Sequence, residues 1–136
     1  MSNDLPDPYR RLRPLGPTPD DEVCRCPEMT EVMLRGTLSP NPLYCVRCRG
    51  EVPPERLQFD ASLAEAIGAW VSVHDSLYRL WLASGEYEKW AAERLADPLG
   101  EVNAQGREIV ARLNTIVPAY YWWFVDSEVI QPEDFQ

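Results

Sequence analysis

The residues best equipped for chemistry in this 136-residue chain are its four cysteines, which fall in two close pairs. Cys24 and Cys26 stand in "VCRCPE", and Cys45 and Cys48 stand in "YCVRCRG", with eighteen residues between the pairs. Thiolates are soft, strong metal ligands, and four of them complete a tetrahedron around a zinc ion at ~2.3 Å each. Two short chelating hooks joined by a loop supply that geometry without a large core. A closed set of four cysteines leaves no position for water or substrate, so one bound zinc ion would be structural. Gly50, two residues beyond Cys48, lets the backbone turn and aim amides at the sulfurs.

Three other chemistries use clustered cysteines. Disulfides require an oxidising compartment, and a bridge within the C-x-C pair would be strained. A lone C-x-x-C is a redox pair in a βαβ setting, which this sequence lacks. An iron–sulfur cluster takes four cysteines, but the spacing is unlike the common ferredoxin runs.

The remaining reactive side chains read as structure. His74, the single histidine, falls on an apolar stripe and reads as a satisfied core or boundary residue. Its neighbour Asp75 points about 100° away around a helix. Glu86, Glu88, Glu93 and Glu101 read as a solvated face. The tryptophans Trp70, Trp81, Trp90, Trp122 and Trp123 read mostly as core, although Trp122 and Trp123 are successive, so one of them is expected to face solvent. There is no Gly-rich phosphate loop, Ser/His/Asp set or H-E-x-x-H motif. The expectation is a protein that is not an enzyme.

The elements that must position the cysteines differ along the chain. Eight of thirteen prolines fall in the first 42 residues, which disfavours helix there. Residues 1–20 read as an extended, Pro-rich arm carrying Arg10, Arg11 and Arg13. Residues 21–56 hold the cysteines and short strands, "EVMLRGTL" being the clearest. Residues 57–136 read as a helical body. Its first helix has Asp60 or Ser62 as N-cap, with Glu65 completing a capping box on Ser62. Leu63, Ile67, Trp70, His74, Leu77 and Trp81 form its stripe, and Gly85 ends it. A second helix points Tyr87, Trp90, Ala91 and Leu95 inward. A third carries Val102, Ile109, Leu113 and Ile116 on one face. "AYYWWFVD" reads as a strand, with aromatic or β-branched residues from Tyr120 to Val125. The tail "SEVIQPEDFQ" reads as a loose end.

Charge is unevenly spread. Net charge is −9; residues 1–56 hold eight arginines against nine acids, and the rest hold five bases against thirteen acids. An acidic body repels phosphate backbones and suits a basic protein partner. No apolar run approaches the ~20 residues of a membrane span, and the first residues lack the apolar core of a signal peptide. A cytoplasmic protein without membrane contact is expected.

The segments "CRCPE…YCVRCRGEVPPERL" resemble a zinc ribbon, with Cys24, Cys26, Cys45 and Cys48 matching its ligands one for one. The downstream "LYRLWLASGEYEKWA…LGEVNAQGREIVARLN…YYWWF" is similar to bacterial zinc-ribbon-containing proteins of unknown function, some described as nucleic-acid-binding. Together these readings imply an α+β fold: a small four-cysteine zinc ribbon packed on a three-helix body with a C-terminal aromatic strand. The expected function is a non-catalytic protein-interaction or adaptor module, of which an immunity or antitoxin-type protein is one form. The alternative is a nucleic-acid-binding ribbon that uses Arg25, Arg35, Arg47 and Arg49, a reading that the overall charge disfavours.

Overall fold

The computed structural model describes residues 8–12, 18–27, 30–36 and 38–124. Three strands form one sheet: β1 (Val32–Leu34), β2 (Leu43–Cys45) and β3 (Ala119–Tyr121). The order is β2-β1-β3, with β1 antiparallel to β2 and parallel to β3. The register places Val32 opposite both Cys45 and Ala119. All three residues of β1 are buried, as expected for a central strand covered on both faces, where an unbroken apolar run replaces alternation. Val32 and Leu34 belong to the main core, and Met33 is buried on the opposite face.

The helices are α1 (Ala61–Ala83), α2 (Glu88–Ala96) and α3 (Glu101–Leu113). The carboxylate of Asp60 accepts the Leu63 amide at 2.8 Å and caps α1, so the cap is Asp60 rather than a box on Ser62. Gly85 ends the helix with φ +70°, a left-handed conformation that costs glycine little. Leu63, Ile67, Trp70 and His74 are buried along one stripe. That stripe, the sheet and one face of α3 share a core with Leu12, Cys24 and Cys45. A smaller cluster joins Ala92 and Leu95 of α2 to Phe124.

Several expectations are corrected. Tyr87 and Trp90 are exposed (51% and 46%), and the buried residues of α2 are Ala91, Ala92 and Leu95. Nine residues with two adjacent alanines turn a narrow face to α1, so the bulkier rings are left outside. Ile116 lies beyond the end of α3, in a turn, and is 45% exposed. The final strand is Ala119–Tyr121 and is shorter than the aromatic run, because β1 offers only three residues to pair with. Val125 and the tail lie outside the described residues. Both Trp122 and Trp123 are partly exposed. The Trp122 amide still donates to the Leu34 carbonyl at 3.0 Å, while Trp123 stacks edge-on against Tyr121.

Within the 1–20 stretch, Arg10–Leu12 form a 3-10 turn and Leu12 is buried. The Tyr9 hydroxyl donates to the Phe59 carbonyl at 2.6 Å, and Arg11 pairs with Glu65 at 3.0 Å. Arg13 lies outside the described residues.

Buried polar groups fasten the helices to the sheet. Asn103 is 1% exposed. Its amide donates to the carbonyls of Leu95 and Asp97 at 2.9 and 2.7 Å, and its oxygen accepts the Tyr121 hydroxyl at 2.7 Å. The Trp70 indole donates to the Val102 carbonyl at 3.0 Å. Gly106 is required beneath Tyr121: a Cβ there would stand 2.2 Å from the ring. Removal of the amide by Asn103→Ala takes this partner from the buried Leu95 carbonyl and the half-buried Tyr121 hydroxyl, so unfolding free energy should fall by about 2–4 kcal/mol in urea titrations.

His74 is buried as expected but not satisfied: its Nδ1 has no hydrogen-bond partner among the described residues. The nearest carboxylate oxygen, on Asp75, is 4.0 Å away. Desolvation pulls the imidazole down from its ordinary 6.5 to about 4. The unfolded chain therefore takes up a proton that the folded chain refuses as pH falls from 6.5 to about 4. Stability should decline across that window by about 3 kcal/mol at most. Replacement by His74→Gln should remove this part of the slope, as read by denaturation at a series of pH values.

Candidate metal centre

The first hook follows the turn Asp20–Glu22, which brings Cys24 alongside residue 51. The Cys24 amide donates to the Glu51 carbonyl at 2.8 Å, and the Glu51 amide donates to Glu22 at 3.0 Å. On its other side Glu51 bridges Tyr44 of β2. A single residue thus zips the first hook to the second. Its carboxylate accepts from the hydroxyl of Thr18 and from the buried Asn41 amide, the latter at 3.0 Å.

The second hook starts at Cys45, the last residue of β2, and turns through Val46 to Cys48. Arg49 closes the knuckle with φ +67° and donates its amide to the Cys45 carbonyl at 2.9 Å. The left-handed residue is therefore Arg49 and not Gly50. Gly50 is needed for closeness instead, since a Cβ there would lie 2.8 Å from the Cys24 nitrogen. Its amide donates to the Cys48 sulfur at 3.4 Å, as the sequence led us to expect.

These contacts bring all four sulfurs within 4.8 Å of one another, and Cys26 and Cys45 are 3.9 Å apart. Thiolates at ~2.3 Å from a common ion in a tetrahedron would be about 3.8 Å apart. A disulfide needs sulfurs at ~2.05 Å, and the four cysteines are free. The cluster therefore fits a metal ion that all four residues share. Cys24 and Cys45 are buried, Cys26 is half-buried and Cys48 is exposed.

The thiols are unequal without metal. Hydrogen bonding with Cys24, followed by desolvation, pushes Cys26 up to about 12. Burial also raises Cys24. Desolvation pushes Cys48 up too, but the Gly50 amide and the other cysteines stabilise its thiolate and bring it down to about 7. Cys48 thus carries the first negative charge, and a metal must displace the protons that remain.

Of the arginines considered for nucleic acid, Arg35 and Arg49 come together: their guanidinium carbons lie 4.6 and 5.8 Å from the Trp122 ring. Arg25 and Arg47 are exposed. Arg25 donates to the Asp20 carbonyl at 3.4 Å, so the four do not form one recognition group. Glu86, Glu88, Glu93 and Glu101 are all exposed. Sequence reasoning missed Glu51. Its only signal was its place between Gly50 and an apolar Val52.

Elemental analysis should find about one metal ion per chain. The Cys45→Ser variant should lose it and melt at lower temperature, because closure of the hooks is coupled to binding. Acidification should release the ion by protonating the thiolates, as a zinc- or iron-responsive dye would report.

No family model, curated protein or solved structure matches this chain. The likeness to a zinc ribbon therefore rests on the four-cysteine cluster itself.

Proposed function

We propose that the chain is a non-catalytic protein-interaction module whose cysteine hooks hold one structural zinc ion and whose acidic helical face docks a basic partner. The observation that carries this reading is the exposure of Tyr87 and Trp90 beside the exposed Glu86, Glu88 and Glu93. The rings, Trp90 with the Arg94 guanidinium 5.0 Å from its centroid, supply contact area, and the nearby acids of the sequence supply charge complementarity to a basic partner. Four thiolates favour zinc among the abundant divalent ions, and a complete ligand set supports a structural role. No helix among the described residues is long and apolar enough to cross a membrane. An immunity or antitoxin-type protein of the cytoplasm, shielding a basic cleft on its target, is one concrete form of this module.

A second reading has its own support. Trp122 is 41% exposed and flanked by the guanidinium groups of Arg35 and Arg49. An aromatic platform with two cations suits a single-stranded nucleic acid. The net charge of −9 opposes it, because every added phosphate must approach an acidic body.

Partners copurified from the native host and then purified singly should bind with an affinity that weakens as salt rises. Trp90→Ala and Glu93→Lys should each weaken that affinity by about tenfold. Duplex DNA and generic RNA should bind no tighter than the ~10⁻⁴–10⁻⁶ M of non-specific contacts. Tight nucleic-acid binding abolished by Arg47→Ala with Arg49→Ala would reject the interaction module. Iron in place of zinc would reject the metal assignment.

A further inference from the structure

A second candidate site lies beyond the end of β1, at Arg35 and Gly36. A cavity of about 160 Å³ opens between α1 and the chain that leaves β3. Its walls are Tyr78 and Trp81 from α1 and Trp122 and Phe124 from the C-terminal segment; Arg35, Gly36 and His74 complete it. Phe124 meets Trp81 and Tyr78 edge-on, both at 90°, with centroids 5.0 and 6.3 Å apart. These rings form a box with walls in two orientations. Its size matches one six-membered ring: an apolar cavity of ~150 Å³ accepts benzene.

The polar groups define the rest of the ligand. Among the described residues Arg35 is the one charged residue in the lining, and no carboxylate pairs with it. Its guanidinium lies over Trp122, a stacking mode that leaves in-plane N–H groups free for a carboxylate fork. Deeper in, the 97%-buried His74 contributes an imidazole with an unpartnered nitrogen. Gly36 makes room for it, since a Cβ there would come within 2.2 Å of His74 Nδ1. Burial of an unsatisfied Nδ1 costs stability, and the ring contacts of His74 with Trp70 and Tyr78 supply no hydrogen bond in its place.

We infer that this cavity binds a small monocyclic aromatic carboxylate, with its ring in the box of Tyr78, Trp81, Trp122 and Phe124 and its carboxylate on Arg35. A cationic ligand would face Arg35 with no acid among the described lining residues to balance it. A neutral ring would leave the guanidinium unused. A polynucleotide would bring many phosphates to a chain of net charge −9, whereas a monoanion brings a single charge. The site is independent of the partner surface on α2, because Tyr87 and Trp90 do not line it.

The test uses the full-length, metal-loaded protein and benzoate as probe, followed by amide and indole NMR shifts. Saturable shifts are expected at Gly36 and at the Trp81 and Trp122 indoles, with a dissociation constant of about a millimolar or tighter. Benzamide and benzylamine, which share the ring but not the anion, should bind at least about tenfold more weakly. Arg35→Gln should weaken benzoate by a similar factor while circular dichroism stays unchanged. His74→Gln provides a second variant, expected to shift the ranking of ring-substituted benzoates rather than abolish binding. Absence of saturable benzoate binding, or equal binding of benzamide, would overturn the assignment. So would uridine monophosphate or oligothymidylate binding more tightly at the same resonances, which would make this a nucleotide pocket.

Discussion

Both other strands of the sheet are registered against Val32, Met33 and Leu34. This strand is hydrogen-bonded on both sides, by β2 with the last buried cysteine and by β3 from the far end of the chain. Three residue pairs on each side are too few to hold a sheet by hydrogen bonds alone. What holds them is burial: all three residues of β1 are buried, and Val32 and Leu34 share one core with α1, α3 and Cys24. A slip of one residue would turn Met33 the wrong way and separate Cys45 from Val32. Sulfur positions and helix packing are thus set by the same short register.

The cysteine hooks show how a metal cluster is assembled from backbone. Neither hook belongs to a helix, and only Cys45 belongs to a strand. The geometry comes instead from Glu51, whose amide and carbonyl fix the first hook, and from the left-handed Arg49, which turns the second. The Arg49 turn is local, whereas the Glu51 contacts reach back to Glu22 and Cys24. A metal ion shared by the two hooks would then reinforce a junction that Glu51 and Gly50 already close.

Legibility followed the strength of the local signal. The cysteine pairs, Asp60 at the start of α1, the stripe through His74 and the stop at Gly85 are dictated by spacing or by backbone conformation. Each could be read without tertiary information. The inward placement of Tyr87 and Trp90 failed for a physical reason. On a short helix the apolar face was assigned by ring size, whereas the contact with α1 admits only alanines and Leu95. The length of β3 could not be read either, because a strand extends as far as its partner does and β1 is three residues long. Arg35, Gly36 and His74 meet Trp122 only through the parallel pairing of β1 with β3, which no local pattern encodes.

That parallel pairing also orders events during synthesis. Residues 24–48 contain both hooks and β2 pairs with β1 across a short turn, so these parts can close soon after they leave the ribosome. The other flank of β1 must wait for residues 119–121, after all three helices have been made. Until then a wholly apolar strand has one open edge, a surface prone to pairing with other chains. Early capture of metal would hold the finished side of β1 in place during that interval. The chain's exposure to aggregation would then depend on metal supply at the moment of translation.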